Sequence, residues 1–297
     1  MSAELTIAIP FFADSDYLRT AIESVLAQDR DSWCLRVVDD GAPEEGAADV
    51  VRGFDDPRIV YLRNDPHLGM VKNWNRCLDL AETDLVTLLH GDDRLLPGYV
   101  STLVDLARGH PEAAALFCAA EVIDGGGRPV FSLADRVKRF FVPAGAGPIV
   151  LRGSAALRAL MAGNFIICPT LCFRRSVLRD RRFSDRWKQV QDLELTARLL
   201  MDGETLIGSR SVAYAYRRHR ASTTERQSES LLRFEEEFDL FDLVAARAEQ
   251  LGWQPAARVA RAKLIVRLHL AYRMLRDLVR LRPSQAGRKL RFLRGGP

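Results

Sequence analysis

The sequence predicts an α/β fold in which helices cover both faces of a mainly parallel β-sheet. In the N-terminal third, short runs rich in valine, isoleucine and leucine alternate with helical segments. Parallel strands need such helical crossovers, and strands buried on both faces have this apolar composition. The predicted strands cover 5–12, 34–41, 58–62 and 85–89, and the predicted helices cover 15–28, 45–52 and 70–82.

The remainder of the chain is less regular and ends in a predicted helical extension. Its long loop at 132–150 is of a kind that is often functional. The first C-terminal helix has an apolar stripe that needs a surface to pack on. The predicted elements are two strands around a glycine-rich turn in 114–131, a helix over 190–203, a strand over 205–219, and two long helices from residue 228 that separate near Gly252 and Pro255.

Composition predicts a globular protein of a reducing compartment. The chain has 297 residues, 47% of them hydrophobic and 28% charged, which allows a sizeable core. Its five scattered cysteines favour free thiols over a disulfide framework or a zinc site. The first apolar run is too short for a signal sequence or a membrane span. We therefore expect a cytoplasmic protein.

Basic residues are concentrated at the C-terminus. Residues 253–297 contain twelve lysines or arginines and a single acid, Asp277. This asymmetry indicates contact with a polyanion or an anionic membrane, although a solvated helix face is commoner. Leucines between the arginines predict a basic amphipathic helix at the inner face of a membrane, and the alternative is packing on the preceding helix or dimerisation through 228–297. The segment lacks the aromatic residues that stack on bases, so no nucleic-acid partner is expected.

Three strands end in polar or unusual residues that predict a ligand site. Pro10 and Phe12, Asp39-Asp40 and Asp92-Asp93 all fall at carboxyl ends, where ligands of such sheets bind. Adjacent carboxylates need a positive partner, and Mn²⁺ or Mg²⁺ suits their oxygens. Such ions commonly bridge carboxylates to a diphosphate. The chain has neither G-x-x-x-x-G-K-[ST] nor G-x-G-x-x-G after its first strand, which excludes a P-loop and argues against a dinucleotide site.

Six motifs occur in series between residues 5 and 224: TIAIPFF, VVDDG, NWNRCLDLAETDLVTLLHGDD, GNFIICPTLCFRRSVL, VQDLEL and YRRHRAST. Together they resemble the family-two inverting glycosyltransferases with the GT-A fold. The resemblance implies a metal-dependent enzyme that moves a sugar from a nucleotide-diphosphate sugar, UDP first and dTDP second, to an acceptor hydroxyl. It implies a GT-A domain over 1–227, with a nucleotide-binding half 1–110 and an acceptor-binding half 111–227, and it leaves 228–297 as a basic helical extension.

The resemblance assigns five residues to the donor. Pro10 and Phe12 would flank the base, with Phe12 stacking on uracil or thymine, and Asp40 would accept a hydrogen bond from the pyrimidine N3–H. Lys72 and Asn73 open a helix whose N-terminus favours phosphate. Without the resemblance, Phe12 is equally interpretable as a core aromatic residue and Lys72 as a surface lysine.

The resemblance also assigns the metal site and the general base. Asp92 would lie near the ribose or the sugar, Asp93 would bind the metal, and His219 would reach the diphosphate or the metal. Asp192 would be the general base, since inversion in one displacement needs a carboxylate to take the acceptor's proton. Without the resemblance, Asp192 reads as an aspartate that stabilises a helix N-terminus. Glu194 points differently on the helix and is the poorer candidate.

This chain departs from the family pattern at two places. His90 stands where the usual Asp-x-Asp motif has its first acid, and Gln191 replaces a frequent glutamate before the base. The acceptor, a small molecule, a glycan or a lipid-linked glycan, should contact 131–152, 164–170 and the C-terminal segment. Two other classes remain open. A non-catalytic binding protein could keep an eroded site, and a sugar nucleotidyltransferase would need a glycine-rich basic loop where this chain has PFFADSDY.

Overall fold

One mixed β-sheet runs through the computed structural model, which describes residues 2–12, 15–43, 46–132, 136–138, 140–218 and 231–295. Its strands are β1 (Leu5–Phe11), β2 (Trp33–Asp39), β3 (Ile59–Arg63), β4 (Leu85–Leu88), β5 (Arg94–Leu95), β6 (Ala113–Ile123), β7 (Ile149–Leu151), β8 (Cys172–Arg174) and β9 (Thr205–Arg217). Across the sheet their order is β3-β2-β1-β4-β8-β6-β9-β5, and β7 pairs with β9.

The four N-terminal strands are parallel, as predicted from the sequence. Phe11 at the end of β1 stands opposite Asp39 at the end of β2, and Ala8 of β1 stands opposite Leu88 at the end of β4. The carboxyl ends of β1, β2 and β4 therefore meet at one edge of the sheet. This register brings the residues that follow these strands to the same place.

The second half of the sheet is mixed in direction. Strand β8 lies antiparallel between β4 and β6, while β6 and β9 are parallel. Strands β5 and β7 both run antiparallel to β9. The end of β9 consequently lies beside the turn between β4 and β5, which the sequence alone did not predict.

Helices cover both faces of the sheet, also as predicted. One apolar cluster packs on the face that carries α1, α2 and α4, and a larger cluster packs on the other face. The helices are α1 (Ser15–Leu26), α2 (Ala47–Arg52), α3 (Met70–Asp79), α4 (Tyr99–Gly109), α5 (Gly153–Gly163), α6 (Arg175–Leu178), α7 (Gln191–Met201), α8 (Leu232–Gln250), α9 (Gln254–Ala262), α10 (Leu264–Val279) and α11 (Pro283–Gly295).

We predicted two strands in 114–131, and the second of them does not form. Strand β6 forms, but after the turn the chain makes only an isolated bridge between Ile123 and Pro129. The turn itself is closed by hydrogen bonds from Asp124 N–H to the Arg128 carbonyl and from Val130 N–H to the Val122 carbonyl. Proline lacks the N–H that a longer ladder would need at this point.

We predicted two long C-terminal helices, but the described part of this segment forms four. Lys263 has a φ of 51°, in the left-handed region, and separates α9 from α10. Its ammonium is 2.6 Å from Asp242 Oδ2 on α8, which fixes this corner. Pro283 then begins α11, at a position where its missing N–H costs no helical hydrogen bond.

The C-terminal helices belong to the same core as the sheet. The predicted stripe on α8 is buried at Phe234, Phe238, Phe241 and Ala245, and these side chains share an apolar cluster with α5 and α7. Among the described residues, no helix is long and apolar enough to cross a membrane.

Candidate active site

Asp39, at the end of β2, is committed to structural contacts. It is fully buried, and its Oδ1 accepts a hydrogen bond from the Ala42 N–H at 2.7 Å. Its Oδ2 accepts hydrogen bonds from the Tyr61 hydroxyl and, at 3.0 Å, from Arg63 Nη1. Asp39 therefore ties the end of β2 to β3 and is not available to a ligand.

Asp40 holds the loop that leads into α3. Its Oδ1 accepts hydrogen bonds from Asn64 Nδ2 at 2.9 Å and Leu68 N–H at 2.8 Å, and its Oδ2 accepts one from Gly69 N–H at 2.8 Å. The residue is only 2% exposed. The His67 Nδ1 also lies 3.0 Å from Asp40 Oδ2, so the about four acceptor positions of the carboxylate all face donors, and a further donor must share or replace one of them. The hydrogen bond from a pyrimidine N3–H stays a prediction.

Asn73 and Lys72 differ in exposure although they are neighbours on α3. Asn73 is buried, donates to the Val38 carbonyl at 3.1 Å and accepts from Asn64 at 2.9 Å. It braces the end of β2. Lys72 is exposed in the first turn of α3, after Gly69 at φ 87°, so its ammonium is open to solvent at a helix N-terminus.

Phe12 and His67 form an exposed aromatic pair at this edge of the sheet. Their ring centroids are 4.9 Å apart with the planes tilted by 41°, and Phe12 is 48% exposed. Nδ1 of His67 lies 2.7 Å from the Asp40 carbonyl oxygen and 3.0 Å from Asp40 Oδ2, so it donates a proton toward both. Phe12 is not a core residue, and half-buried Pro10 precedes it at the same strand end.

The turn after β4 places its two aspartates in different environments. Asp93 is fully buried and accepts hydrogen bonds from the Tyr214 hydroxyl at 2.9 Å and from the Arg217 N–H at 2.6 Å. Burial and the neighbouring charge of Asp92 raise the pKa of Asp93 well above its usual range. Asp92 is partly exposed, and its carboxylate is the more accessible of the two.

Arg217 clamps this turn to the glycine-rich turn at 124–127. Its Nε donates to the backbone carbonyl of Asp92, and its Nη1 donates to the carbonyls of Asp124 and Gly125 at 3.1 and 3.0 Å. Its guanidinium also stacks over the Tyr17 ring, 4.7 Å from the centroid. Sequence reasoning missed this residue because its partners lie far away along the chain.

His90 completes a group that could hold a metal ion. Ligand atoms of His90, Asp92 and Asp93 lie within 4.8 Å of one another. The His90 ring packs against Trp74, with centroids 5.1 Å apart, and burial lowers its pKa, which favours the neutral imidazole. Its Nε2 is buried and has no hydrogen-bond partner among the described residues. His219, the other residue expected at the metal, lies outside the described residues.

Asp192 lies in the first turn of α7. Burial raises the pKa of the Cys168 thiol well above its usual range, and the nearby charges of Asp192 and Asp93 both raise it further. Burial raises the pKa of Asp192 itself. By contrast, Glu194 is held by Arg198 at 2.8 Å. The fold therefore brings the expected base and the aspartate turn together.

Positive charge from two separate segments acts on Asp192, from Lys138 in the loop at 132–150 and from Arg233 on α8. Lys138 and Arg233 each act to lower the pKa of Asp192, against the effect of burial. Arg233 is paired with Glu237 at 3.1 Å on α8. The His269 ring of α10 packs on Phe234, and burial together with nearby cations lowers its pKa to about 3. This surrounding was not foreseen, because only the fold brings Lys138 and α8 to Asp192.

Helix α8 also fixes the start of the base helix. The carboxylate of Glu236 is buried and accepts hydrogen bonds from the N–H groups of Lys188 and Gln189, at 3.0 and 2.8 Å. These residues lie directly before α7. The segment after residue 228 therefore contributes to the position of Asp192.

A cavity of about 470 Å³ lies at the opposite end of the sheet from these residues. Glu4 and Asp84 in its lining are paired with Arg108 and Arg174, at 2.7 and 3.2 Å. Ligands of open α/β sheets bind at the carboxyl ends of strands, so we place the functional site at the aspartate turn.

A parallel βαβ half, a mixed second half and an aspartate turn at the shared strand edge define the GT-A class of glycosyltransferase folds. The sequence profile of glycosyl transferase family 2 matches residues 6–181, which is more than half of the chain. The chain therefore belongs to this family and is a glycosyltransferase, as its motifs predicted.

Two curated relatives match the chain over about a third of their own length. A GalNAc(5)-diNAcBac-PP-undecaprenol beta-1,3-glucosyltransferase of Campylobacter jejuni is 36% identical over 107 residues, which is 35% of this chain and 34% of that protein. The putative colanic acid biosynthesis glycosyl transferase WcaA of Escherichia coli is 31% identical over 101 residues, 34% of this chain and 36% of that protein.

Solved structures confirm the fold over most of the chain. TarS of S. aureus in complex with UDP-GlcNAc has a TM-score of 0.63 and 16% identity, over 82% of this chain and 66% of that one. The mannosyltransferase PcManGT of Pyrobaculum calidifontis, in complex with GDP-Man and Mn²⁺, has a TM-score of 0.60 and 16% identity, over 99% of this chain and 85% of that one. At this identity the similarity shows the fold alone.

Proposed function

We propose that this glycosyltransferase moves a sugar from a nucleotide-diphosphate sugar to an acceptor hydroxyl with inversion at the anomeric carbon, and that Asp192 is the general base. The observation that carries the proposal is the position of Asp192 in the first turn of α7, where its charge and that of Asp93 both act on the Cys168 thiol. A base on one side and a diphosphate-binding turn on the other are what a single displacement requires.

In this reaction Asp192 takes the proton of the acceptor hydroxyl while its oxygen attacks the anomeric carbon. The bond from that carbon to the diphosphate oxygen breaks, and the nucleoside diphosphate leaves. The raised pKa of Asp192 suits the role, because a stronger base accepts the proton more readily. The ion pair of Glu194 with Arg198 leaves Asp192 as the better candidate.

The donor end is proposed at Phe12, Pro10 and Lys72. The exposed Phe12 ring offers a face for the base, and Lys72 offers charge to a phosphate at the start of α3. UDP is our first choice and dTDP the second, since both present N3–H to Asp40. Asn73 supports the site by bracing Asp40 through Asn64.

A divalent ion, Mn²⁺ or Mg²⁺, fits the group formed by His90, Asp92 and Asp93. The group offers two carboxylates and an imidazole nitrogen, which are ligands that such ions accept. When bound, the ion would neutralise charge on the departing diphosphate. Asp93 stays the predicted ligand with His219, and the greater exposure of Asp92 supports a ligand role for it as well as the predicted contact with the sugar or ribose.

The acceptor is proposed to lie between the loop at 131–152, the segment at 164–170 and the C-terminal helices. Lys138, Cys168 and Arg233 come from these three parts and all act on Asp192 or contact it. This arrangement supports the division into a nucleotide-binding half, 1–110, and an acceptor-binding half, 111–227. It also supports a contribution of 228–297 to the acceptor site. We further propose that the acceptor is a small molecule, a glycan or a lipid-linked glycan in the cytoplasm.

The test is a thermal-shift titration with UDP, dTDP and GDP, each with and without Mn²⁺, followed by hydrolysis assays on the sugar nucleotides of the best binder. GDP is included because a protein of similar fold binds GDP-Man. We expect UDP with Mn²⁺ to stabilise most. Product NMR should show inversion at the anomeric carbon, and retention would contradict the proposal. Binding without any turnover would favour a non-catalytic binding protein.

A further inference from the structure

Helix α10 carries an apolar stripe that faces away from the protein. Its large side chains at five positions spaced by three or four residues are between 48% and 83% exposed. Leu281, directly after the helix, is 89% exposed. Single exposed leucines are ordinary on a protein surface, but a continuous apolar row marks an interaction site. The row consists of Leu264, Leu268, Tyr272, Leu275 and Val279.

The row forms one side of α10, opposite to its packed side. At about 100° per residue these five positions fall within an arc of roughly 80°, and Leu278, which is 49% exposed, widens it to roughly 120°. Val266, Leu270 and Arg273 are buried on the other side. The exposed leucines therefore do not pack on the preceding helix, which was one alternative raised by the sequence.

The segment that carries the apolar row is strongly basic. The single acid of the segment, Asp277, is paired with Lys289 at 2.6 Å, and Arg261 and Lys263 pair with acids of α8. Among the described residues of the segment, the exposed side chains that carry charge are all basic: Arg258, Arg261, Arg267, Arg280, Arg282, Arg288, Arg291 and Arg294.

We propose that the apolar row of α10, with the arginines around it, docks on the surface of an anionic lipid bilayer. A helix with an apolar face and a basic border lies in the membrane interface, where the apolar side chains enter the acyl boundary and the arginines meet anionic headgroups. A second copy of the chain is a poorer occupant, because it would bring two strongly basic surfaces together.

The opposite side of α10 relates this surface to the active site. His269 packs on Phe234 of α8, the neighbour of Arg233, whose charge acts on Asp192. One helix thus separates the membrane-facing row from the surroundings of the base. Resting on the proposed function, this placement implies that the acceptor is itself anchored in the membrane. The docking alone does not depend on that function.

The experiment is co-sedimentation of the full chain with vesicles of phosphatidylcholine alone or mixed with phosphatidylglycerol, at low and high salt. The variant Leu268→Glu with Leu275→Glu removes apolar surface from the row, and Leu243→Glu is the matched control at an exposed position of α8. We expect binding to the mixed vesicles at low salt, and a loss of about tenfold or more in the double variant alone.

Several results would overturn the inference. Equal binding of the double variant and the control, or no binding to anionic vesicles at low salt, would each do so. A dimer of the wild-type chain in ultracentrifugation that the double variant lacks would assign the row to a second copy instead. The UDP thermal shift of every variant is measured in parallel. If none of UDP, dTDP and GDP binds while vesicle binding follows the row, the proposed function fails and the docking stands.

Discussion

The carboxylate of Asp93 accepts a hydrogen bond from the backbone N–H of Arg217 at 2.6 Å, and the Arg217 side chain donates to the backbone carbonyl of the adjacent Asp92. The end of β9 and the turn after β4 therefore hold one another. The same side chain continues to the carbonyls of Asp124 and Gly125. Removing the Arg217 side chain should loosen the end of β9, the turn after β4 and the turn at 124–127.

We expect Arg217→Met to lower the free energy of unfolding by about 2–4 kcal/mol, because buried carbonyls lose their donors. Urea unfolding measures this change. Arg158→Met, at an exposed position of α5, is the control and should stay within about 0.5 kcal/mol of the wild type. Equal unfolding midpoints for the two variants would show that the clamp contributes little.

The sequence predicted the N-terminal half of the fold well. Buried parallel strands appear in the sequence as apolar runs. Their order along the chain, together with the intervening helices, leaves few possible sheet topologies. The position of Phe12, Asp40 and the turn at Asp92 at one sheet edge followed from that topology. The contacts of Arg217 and Cys168 did not follow, because they depend on the mixed pairing of β8 and β9, which no local pattern reveals.

The C-terminal half was harder to predict for physical reasons. The break at Lys263 rests on a left-handed residue held by a distant aspartate, and lysine carries no turn signal in the sequence. The amphipathic pattern of α10 was visible, but a periodic apolar row does not say whether it faces the core or solvent. The role of α8 beside Asp192 likewise came from packing alone.

Asp192→Asn should lower the activity without lowering the stability. The amide keeps the shape but takes no proton, so transfer should fall by about 10²–10⁴-fold. Glu194→Gln, on the same helix, should retain most of the activity. Product formation from the donor identified by thermal shift measures both, and near wild-type turnover by the Asn variant would refute the assignment of the base.

The same Asp192→Asn variant should be as stable as the wild type or more stable at pH 7. Burial raises the pKa of Asp192, so the folded state binds this proton more tightly than the unfolded chain does. The stability of the wild-type protein then falls as pH rises from the pKa of Asp192 in the unfolded chain to its pKa in the folded protein. Above both pKa values, the full cost of the buried charge lowers the stability. The gain in melting temperature should shrink toward about pH 4, near the unfolded pKa. A constant difference across this range would contradict the explanation.

Substitutions in the aspartate turn should weaken the metal-dependent part of nucleotide binding. Asp92→Asn and Asp93→Asn each remove a negative oxygen from the group that fits the ion. Calorimetry of UDP with and without Mn²⁺ should show a loss of about tenfold or more with the metal and little change without it. Asp93→Asn leaves one acceptor oxygen for the two donors of Tyr214 and Arg217, so its unfolding midpoint is measured alongside as a control for folding. Metal-dependent binding that survives both substitutions would place the ion elsewhere.

The fall of kcat at low pH, the acid limb of its pH profile, should follow the protonation of Asp192. Replacing Lys138 should change the pH at which this fall occurs. A general base works only when it is deprotonated, so kcat should fall as pH drops through the pKa of Asp192, which burial holds above the usual range of an aspartate. The charge of Lys138 opposes that effect, and Lys138→Gln should raise the pKa of Asp192 and move the acid limb to higher pH. Arg136→Gln, at an exposed position two residues earlier, removes the same charge from a side chain that lies over the Phe131 ring, and should leave the limb in place. The measurement is kcat against pH for the wild type and the two variants. An acid limb that moves equally in both variants would reflect net charge rather than the proximity of Lys138 to the base.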